Sequence, residues 1–173
     1  KKDSRYLNGS LLAQDTDDLL HNKMESVTAK EFDAEGHKNL VEFGLRAIRS
    51  IKSNSIVLVR QHGNCMQLLG MGAGQPNRLI ATKLSIEKAK ENLDRELGAE
   101  AIAAQTYYER ELGSAVMISD AFFPFADNVE LAAAEGIRQI VQPGGSIRDK
   151  QVVEACDNLG VSMLFTGIRH FKH

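Results

Sequence analysis

Several residue types and patterns are scarce in this sequence of 173 residues, and each scarcity excludes a class of protein. There is no tryptophan, and no apolar run approaches the roughly 18 residues that a transmembrane helix needs. No signal-peptide pattern is present either, so we expect no membrane partner. The two cysteines, Cys65 and Cys156, are too few for a disulfide framework or a zinc cluster. A reducing, cytoplasmic setting is the expectation.

An excess of charge of one sign is lacking as well. Lys and Arg number 21 and Asp and Glu number 23, which gives a formal net charge of −2. A protein that binds nucleic acid nonspecifically relies on a positive field, which this composition does not supply. We therefore expect no nucleic-acid partner.

The composition that is present is typical of a globular protein. Hydrophobic residues make up 43% of the chain and charged residues 25%. The length suits one domain, and no repeat or linker interrupts it, so we predict a single domain over residues 1–173. The chain begins with Lys1 and not with Met, which predicts either a tag-cleaved protein or a piece of a longer one.

Strand-like and helix-like segments alternate along the chain. Short apolar or β-branched segments predict strands at 9–14, 24–29, 55–60, 66–71, 115–119, 137–142 and 161–166. Helical spacing of apolar residues predicts helices at 31–51, 77–97, 99–111, 128–135 and 148–159, the first of them capped by Thr28. The second half thus reads β-α-β-α-β with short connections, which favours parallel strands. The hairpin at 55–71 adds antiparallel pairing, so the prediction is an α/β fold with a mixed sheet.

A glycine-rich turn, Gly72-Ala73-Gly74-Gln75, precedes the helix at 77–97. Backbone amides exposed by glycines at the start of a helix suit an anion. Arg78, one turn into the helix, could add a charge-assisted bond to a phosphate or a carboxylate. The alternative is a plain tight turn, with Pro76 at the start of the helix, and on this segment alone it is the better reading.

Three phenylalanines follow the predicted strand at 115–119, within the segment 119–128. Ligands of open α/β sheets bind at the carboxyl ends of strands, where aromatic side chains could form a wall for a flat heterocycle. The alternative is that they fill the core while Asp127 caps the next helix. For Phe123 and Phe125 the core is the favoured interpretation.

Another turn, in the segment 142–149, contains Gly144 and Gly145 and comes at the end of a predicted strand. Ser146 and Asp149 match the spacing of a helix capping box, which predicts a structural role. The two glycines leave backbone donors open at the same place, so a ligand contact is compatible with that role.

The tail places four potential cations, Arg169, His170, Lys172 and His173, directly after a buried strand. One interpretation is a local anion site in a protein that is otherwise slightly acidic. The other is a solvated basic end.

The segments resemble, in order and spacing, the aminoimidazole carboxamide ribonucleotide (AICAR) formyltransferase family, the C-terminal part of a bifunctional purine-biosynthesis protein. The matching strings are Lys52-Ser53-Asn54-Ser55, Gly70-Met71-Gly72-Ala73-Gly74-Gln75, Ser119-Asp120-Ala121-Phe122-Phe123-Pro124-Phe125, Gln142-Pro143-Gly144-Gly145-Ser146-Ile147-Arg148-Asp149 and Arg169-His170-Phe171-Lys172-His173. They cover most of the chain from about 50 to 173, and the segment 92–113 looks like an insertion. The resemblance implies a three-layer α-β-α, cytidine-deaminase-like fold that occurs twice in the transformylase region.

The same resemblance implies that no zinc is bound. Zinc deaminases carry Pro-Cys-x-x-Cys where a strand leads into a helix, whereas this chain reads Pro124-Phe125-Ala126-Asp127-Asn128 at the corresponding place. Both cysteine positions are occupied by other residues. The expectation is a deaminase-like scaffold with no metal site.

The chemistry implied by the resemblance is formyl transfer from 10-formyltetrahydrofolate, a cosubstrate, to AICAR, with no tightly bound cofactor. Matched by position, the residues on the AICAR side are Asn54, Phe122 and Arg169. Those on the folate side are Arg78, Asp127, Ser146 and Ile147, with Gly74, Gln75 and His173 as further candidates. In the family the site lies across a dimer interface, so a homodimer formed through the full-length protein is expected.

The family's catalytic Lys-His pair is absent from this chain, because Lys172-His173 belongs to the terminal motif. The chain therefore looks like the second half of the transformylase, without the first half and without the cyclohydrolase domain. We expect an enzyme fragment that is inactive alone. Two alternatives remain: a non-catalytic nucleotide-binding or assembly module, and a small complete enzyme whose base is His170 or His173.

Overall fold

The computed structural model describes residues 2–98 and 104–172. The strands are β1 (Lys2–Leu7), β2 (Ser10–Asp15), β3 (Glu25–Ser26), β4 (Ile56–His62), β5 (Cys65–Gly72), β6 (Val116–Ser119), β7 (Gln139–Gln142) and β8 (Ser162–Phe165). The helices are α1 (Lys38–Arg49), α2 (Arg78–Leu97), α3 (Ala104–Ser114), α4 (Asp127–Ala134) and α5 (Asp149–Leu159).

Six strands form one mixed sheet in the order β3-β8-β7-β6-β4-β5. Strands β6, β7 and β8 are parallel, with Met117 opposite Ile140 and Ile140 opposite Met163. Strand β4 runs antiparallel to both β5 and β6, and β3 runs antiparallel to β8. The predictions of a parallel second half and of a hairpin that makes the sheet mixed are both confirmed.

Helices cover both faces of this sheet. Helix α1 packs on one face, where buried Leu45 and Ile48 contact Val57 and Val59 of β4. Side chains of α2, α3, α4 and α5 pack on the other face against Leu58, Met117 and Ile140. The result is the expected three-layer α-β-α arrangement. None of the described helices is both long and apolar enough to cross a lipid bilayer.

Strands β1 and β2 form a separate two-stranded sheet with Tyr6 opposite Leu11. The strand predicted at 9–14 is β2, whereas β1 was not predicted. The signal that could have revealed it is Asn8-Gly9, the dipeptide most typical of a tight hairpin turn. Both residues have positive φ, 48° and 83°, as such a turn requires.

Helix α1 begins at Lys38 and not at Glu31, so this boundary and the cap at Thr28 were wrong. The Thr28 hydroxyl instead donates to the Lys30 carbonyl at 2.8 Å and accepts from the Met163 amide at 2.9 Å. The Asp33 carboxylate accepts from the Gly36 amide at 2.8 Å. Such a side-chain bond stabilises a turn in competition with a helix, which delays the start of α1.

Helix α2 begins and ends where the sequence predicts. The Asn77 side chain accepts from the Ile80 amide at 2.9 Å, and Gly98 ends the helix with φ of 61°. The helix lies very close to β5, because a Cβ on Gly72 would fall 2.0 Å from the Ala81 carbonyl oxygen. Glycine in this turn therefore allows close packing of helix on strand.

The remaining elements agree with the predictions to within a few residues. Of the helix predicted at 99–111, residues 104–111 lie in α3, and 99–103 lie outside the described residues. Cys156 was predicted to be a core residue and is fully buried on α5. Burial raises the pKa of its thiol to about 12. Its side chain is therefore a small apolar filler, as predicted.

Candidate functional site

Five of the segments singled out in the sequence meet at one edge of the main sheet. The parallel strands β6, β7 and β8 all end there, and antiparallel β4 begins there while β5 ends there. The segments that lie along this edge are 52–55, 72–75, 119–128, 142–149 and 166–172. Grouping at the carboxyl ends of parallel strands is the usual position of a ligand site in α/β proteins.

Asp120 lies at the centre of this edge and is fully buried. Its Oδ2 accepts from the Ser53 hydroxyl and, at 3.1 Å, from the Ser55 amide. Its Oδ1 accepts from Nη2 of Arg78 at 2.8 Å. A buried carboxylate is tolerated when it is paired and hydrogen-bonded in this way.

The Asp120 backbone also joins separate segments. Its amide donates to the Ser55 carbonyl at 3.3 Å, and its carbonyl accepts from the His170 amide at 2.9 Å. A further bond, from the Ser53 amide to the Lys172 carbonyl at 2.9 Å, holds the tail against the start of β4. The backbone of the tail is thus anchored at His170 and Lys172, whereas the side chains of Arg169 and Lys172 are exposed to solvent.

Arg78 is buried against Asp120, which differs from the exposed anion contact suggested by the sequence. Its Nη1 donates to the Phe122 carbonyl at 3.3 Å, and its side chain is 9% exposed. The guanidinium is thus engaged within the protein. The anion that it binds within the fold is the carboxylate of Asp120.

The amides of the turn before α2 are also used internally, because Gly74 donates to the Lys52 carbonyl at 2.7 Å and Gln75 donates to the Asn54 carbonyl at 3.2 Å. These two donors are engaged within the fold, which favours the plain tight turn. The Gln75 carbonyl accepts from the Asn54 side-chain amide at 3.0 Å. Half-buried Asn54 is therefore fixed between the turn and the start of β4.

A cleft of about 410 Å³ opens beside the ends of β6, β7 and β8. Its lining includes Phe122, Pro143, Gly144, Gly145, Ile168 and Arg169. Phe122 is half-buried and Arg169 is exposed, so the cleft has an aromatic and a cationic side. Gly144 has φ of 72°, and a Cβ there would fall 2.6 Å from the Phe165 ring. Only glycine fits at this position of the cleft wall.

The other two phenylalanines of the 119–128 segment lie in opposite environments. Phe123 is fully buried, as predicted, and its amide donates to the Gln142 side chain at 2.8 Å. Phe125 was expected in the core but is 53% exposed. The guanidinium of Arg148 lies 4.4 Å from the centre of its ring, and this cation–π contact stabilises the exposed position.

Ser146 and Asp149 do not form the expected capping box. The Ser146 hydroxyl accepts from the Arg148 amide at 3.1 Å, and the Asp149 carboxylate accepts from the Gly145 amide at 2.7 Å. The Gly145 donor is therefore used within the loop, contrary to the prediction that it is open. These bonds shape a loop whose Ile147 side chain is fully exposed, at 101%.

Asp127 is the first residue of α4 and not its cap. Its carboxylate accepts from the Asn128 amide at 2.8 Å, where a negative charge complements the helix dipole. Asn128 is buried and accepts from the Thr82 hydroxyl at 2.8 Å, which joins α4 to α2.

His170 was one of two candidates for a catalytic base, but its ring is buried and engaged. Its Nδ1 lies 2.8 Å from the Asp17 carboxylate and its Nε2 lies 3.1 Å from the Leu20 carbonyl. With both nitrogens bonded, the ring anchors the tail and is not available as a base. The other candidate, His173, lies outside the described residues. Asp17 was not predicted as a partner, since no local signal links residues that are 153 positions apart.

No metal site is indicated in residues 2–98 and 104–172, where no three side chains of His, Cys, Asp or Glu come together suitably. Cys65 is exposed at the β4–β5 hairpin, and Cys156 is buried in α5.

Comparison with known proteins identifies one family. Residues 1–88 match the family described as "AICARFT/IMPCHase bienzyme". The chain is 39% identical over 171 residues to the bifunctional purine biosynthesis protein PurH of Aquifex aeolicus, covering 99% of this chain and 30% of that protein. It is 42% identical over 169 residues to PurH of Clostridioides difficile, covering 98% of this chain and 29% of the relative. The chain thus spans less than a third of the curated relatives that it matches.

Proposed function

This chain belongs to the AICARFT/IMPCHase bienzyme family, and on that premise we propose that it supplies part of an AICAR formyltransferase site. The reaction would transfer a formyl group from 10-formyltetrahydrofolate to AICAR in purine biosynthesis. The family alone does not distinguish this role from the cyclohydrolase role. The formyltransferase is favoured because the segments that resemble the transformylase, which are far apart in sequence, meet at one sheet edge around a cleft.

Within this proposal, the AICAR side of the site is formed by Asn54, Phe122 and Arg169. Arg169 offers a guanidinium at the cleft, suited to the phosphate of a nucleotide. Phe122 offers an aromatic surface to the flat heterocycle, and Asn54 offers polar side-chain atoms from the start of β4. The folate side is assigned to Asp127 at the start of α4 and to Ser146 and Ile147 in the loop before α5.

The chemistry requires the exocyclic amine of AICAR to attack the formyl carbon, lose a proton, and expel tetrahydrofolate. A base must take that proton, and donors must stabilise the tetrahedral oxyanion. Because the His170 ring is engaged with Asp17 and Leu20, the described residues offer no histidine in the cleft for this purpose. The chain therefore orients substrates, and we propose that the base comes from elsewhere in the active protein.

We further propose that the chain corresponds to the second of two cytidine-deaminase-like halves and that the complete site lies in a homodimer. The mixed sheet between two helical layers supports this scaffold. The place of the deaminase Pro-Cys-x-x-Cys holds Phe125 and Asn128, and neither is a typical zinc ligand. The alternative is a nucleotide-binding module without catalysis, which the engagement of His170 favours for the chain in isolation.

The experiment measures AICAR binding and formyl transfer by the protein encoded by the complete reading frame that contains this chain. Arg169→Ala is expected to raise the Kd for AICAR by about tenfold or more, because a charged contact to phosphate is lost. Arg95→Ala is the matched control, since Arg95 is an exposed arginine near the end of α2, away from the cleft.

Three results would contradict the proposal. An Arg169→Ala variant that binds AICAR as tightly as wild type would show that Arg169 in the tail does not contact the nucleotide. Formyl transfer by residues 1–173 alone, at the rate of the complete protein, would show that no base is missing. Binding of AICAR without transfer by the complete protein would favour the non-catalytic module.

A further inference from the structure

One buried carboxylate connects the three residues assigned to the AICAR side without itself reaching the surface. Asp120 has no exposed surface, so it does not touch a ligand in the cleft. Its bonds nevertheless end beside Asn54, Phe122 and Arg169. The inference drawn from this arrangement rests on the proposed function.

The first connection is to Asn54, whose two neighbours are both held by the same carboxylate oxygen. Oδ2 of Asp120 accepts from the Ser53 hydroxyl on one side of Asn54 and from the Ser55 amide on the other. Because the residues before and after Asn54 are fixed, its backbone has little freedom. The Gln75 carbonyl then fixes its side-chain amide at 3.0 Å.

The second connection runs through Arg78 to Phe122. Oδ1 of Asp120 binds Nη2 of Arg78 at 2.8 Å, and Nη1 of the same guanidinium donates to the Phe122 carbonyl at 3.3 Å. A planar guanidinium holds its two acceptors in a fixed relative position, because its donors have fixed directions. The backbone of Phe122 is thus positioned by the same charge that positions Asn54.

The third connection is to Arg169, through the next residue. The Asp120 carbonyl accepts from the His170 amide at 2.9 Å, and the His170 ring is held by Asp17 and Leu20. The backbone at His170 is therefore fixed both by Asp120 and by its own side chain, and Arg169 projects from this anchored position into the cleft.

We infer that Asp120 is a positioning residue of the AICAR site, that Arg78 is its buried counter-ion, and that Ser53 is the hydroxyl through which it holds Asn54. Asp120 acts on the nucleotide only through Asn54, Phe122 and Arg169. This gives Arg78 a role different from the folate contact implied by the family resemblance.

The test uses the protein encoded by the complete reading frame and measures the Kd for AICAR by calorimetry together with kcat and KM. Ser53→Ala removes one donor to Asp120 but leaves the Asp120–Arg78 pair intact. It is expected to raise the Kd and KM for AICAR by about 2- to 10-fold, the effect of one lost hydrogen bond. Ser53→Thr keeps the hydroxyl and is expected to restore wild-type affinity.

Asp120→Asn is expected to raise the Kd more than Ser53→Ala, because it weakens all the side-chain bonds. Should this variant not fold, the two Ser53 variants still test whether Asp120 positions the AICAR site. The matched control is Glu111→Gln, which weakens another buried arginine–carboxylate pair far from the cleft. It is expected to lower stability without changing the Kd for AICAR, which separates positioning from general destabilisation.

The outcomes distinguish this inference from the function on which it rests. If wild type binds AICAR and both Ser53→Ala and Asp120→Asn bind it equally tightly, the positioning role is wrong while the proposed function stands. An equal loss of affinity in Glu111→Gln would also overturn it, because a merely structural effect would explain the result. If wild type does not bind AICAR at all, the proposed function fails, and the inference fails with it.

Discussion

Two buried arginines lie near opposite ends of strand β4, and their surroundings differ in an informative way. Arg60, on the strand itself, is fully buried near its carboxyl end. Arg78 is 9% exposed and pairs with Asp120 beside the start of the strand. Both satisfy the rule that a buried charge needs a partner, yet only one belongs to the candidate site.

The Arg60 cluster is saturated within the fold. Nη2 binds Glu96 at 2.5 Å, Nη1 binds Glu111, and Nε donates to the Gln67 side chain at 2.8 Å. Burial by itself lowers the pKa of Arg60, but hydrogen bonds and the charges of Glu96 and Glu111 raise it above its ordinary value. Every nitrogen is therefore used to join β4, β5, α2 and α3.

The Arg78 pair is less saturated, because it has one carboxylate where Arg60 has two. Its Nε is buried without a hydrogen-bond partner among the described residues. The carboxylate of its partner, Asp120, also accepts hydrogen bonds from Ser53 and Ser55, the two neighbours of Asn54. What distinguishes the cluster at the candidate site is thus the position of its neighbouring residues, and not the burial of an arginine–carboxylate pair.

The largest effect expected in this comparison is on stability, from Arg60→Met. Removing the guanidinium takes the shared buried cation from Glu96 and Glu111, which should lower the free energy of unfolding by about 1–3 kcal/mol. The loss is moderated because Glu111 keeps Arg110 as a partner and Glu96 keeps Gln67 and Tyr107. Urea unfolding followed by circular dichroism measures this. The Kd of the folded variant for AICAR should stay at the wild-type value.

Arg95→Met is the control for Arg60→Met, because Arg95 is exposed and its loss should change the free energy of unfolding by less than about 1 kcal/mol. An Arg60→Met variant as stable as this control would mean that the Arg60 cluster does not stabilise the packing of β4 against β5, α2 and α3. A folded Arg60→Met variant with weakened AICAR binding would contradict the view that only the Arg78 end of β4 belongs to the candidate site.

The sequence predicted the main sheet well, for a physical reason. Parallel strands that are covered on both faces are short and mostly apolar, as in Val116–Ser119 and Ser162–Phe165, so they stand out from their surroundings. Strand β1 does not stand out, because it belongs to an exposed hairpin and has no buried face to impose an apolar pattern. The start of α1 was misplaced because the turn at Asp33 depends on a side-chain bond and not on periodicity.

The location of the candidate site was predictable from the sequence, whereas the hydrogen bonds and ion pairs that join its segments were not. Placing 119–128, 142–149 and 166–172 at one edge follows from parallel strands alone. The bond from Ser53 to Asp120 depends on β4 lying beside β6, and the two residues are 67 positions apart. The side chains of Arg78 and His170 likewise bind partners that only the tertiary fold brings near, and these internal contacts could not be predicted from the sequence.

The smallest effect expected is a pH dependence that belongs to the Arg60 cluster, tested with Glu96→Gln. Desolvation raises the pKa of Glu96, but hydrogen bonds from Arg60, Gln67 and Tyr107 outweigh it, so the pKa lies below the ordinary value of 4.5. A carboxyl group whose pKa is lowered by folding stabilises the protein above the unfolded value, and this contribution is lost as the pH falls through the folded value. Glu96→Gln should therefore be less stable than wild type at pH 7, and the difference should shrink below about pH 4.5. Urea unfolding of both proteins at several pH values from 7 to 3 measures it, and a difference that stays constant or grows toward acid would show that the charge of Glu96 does not hold Arg60.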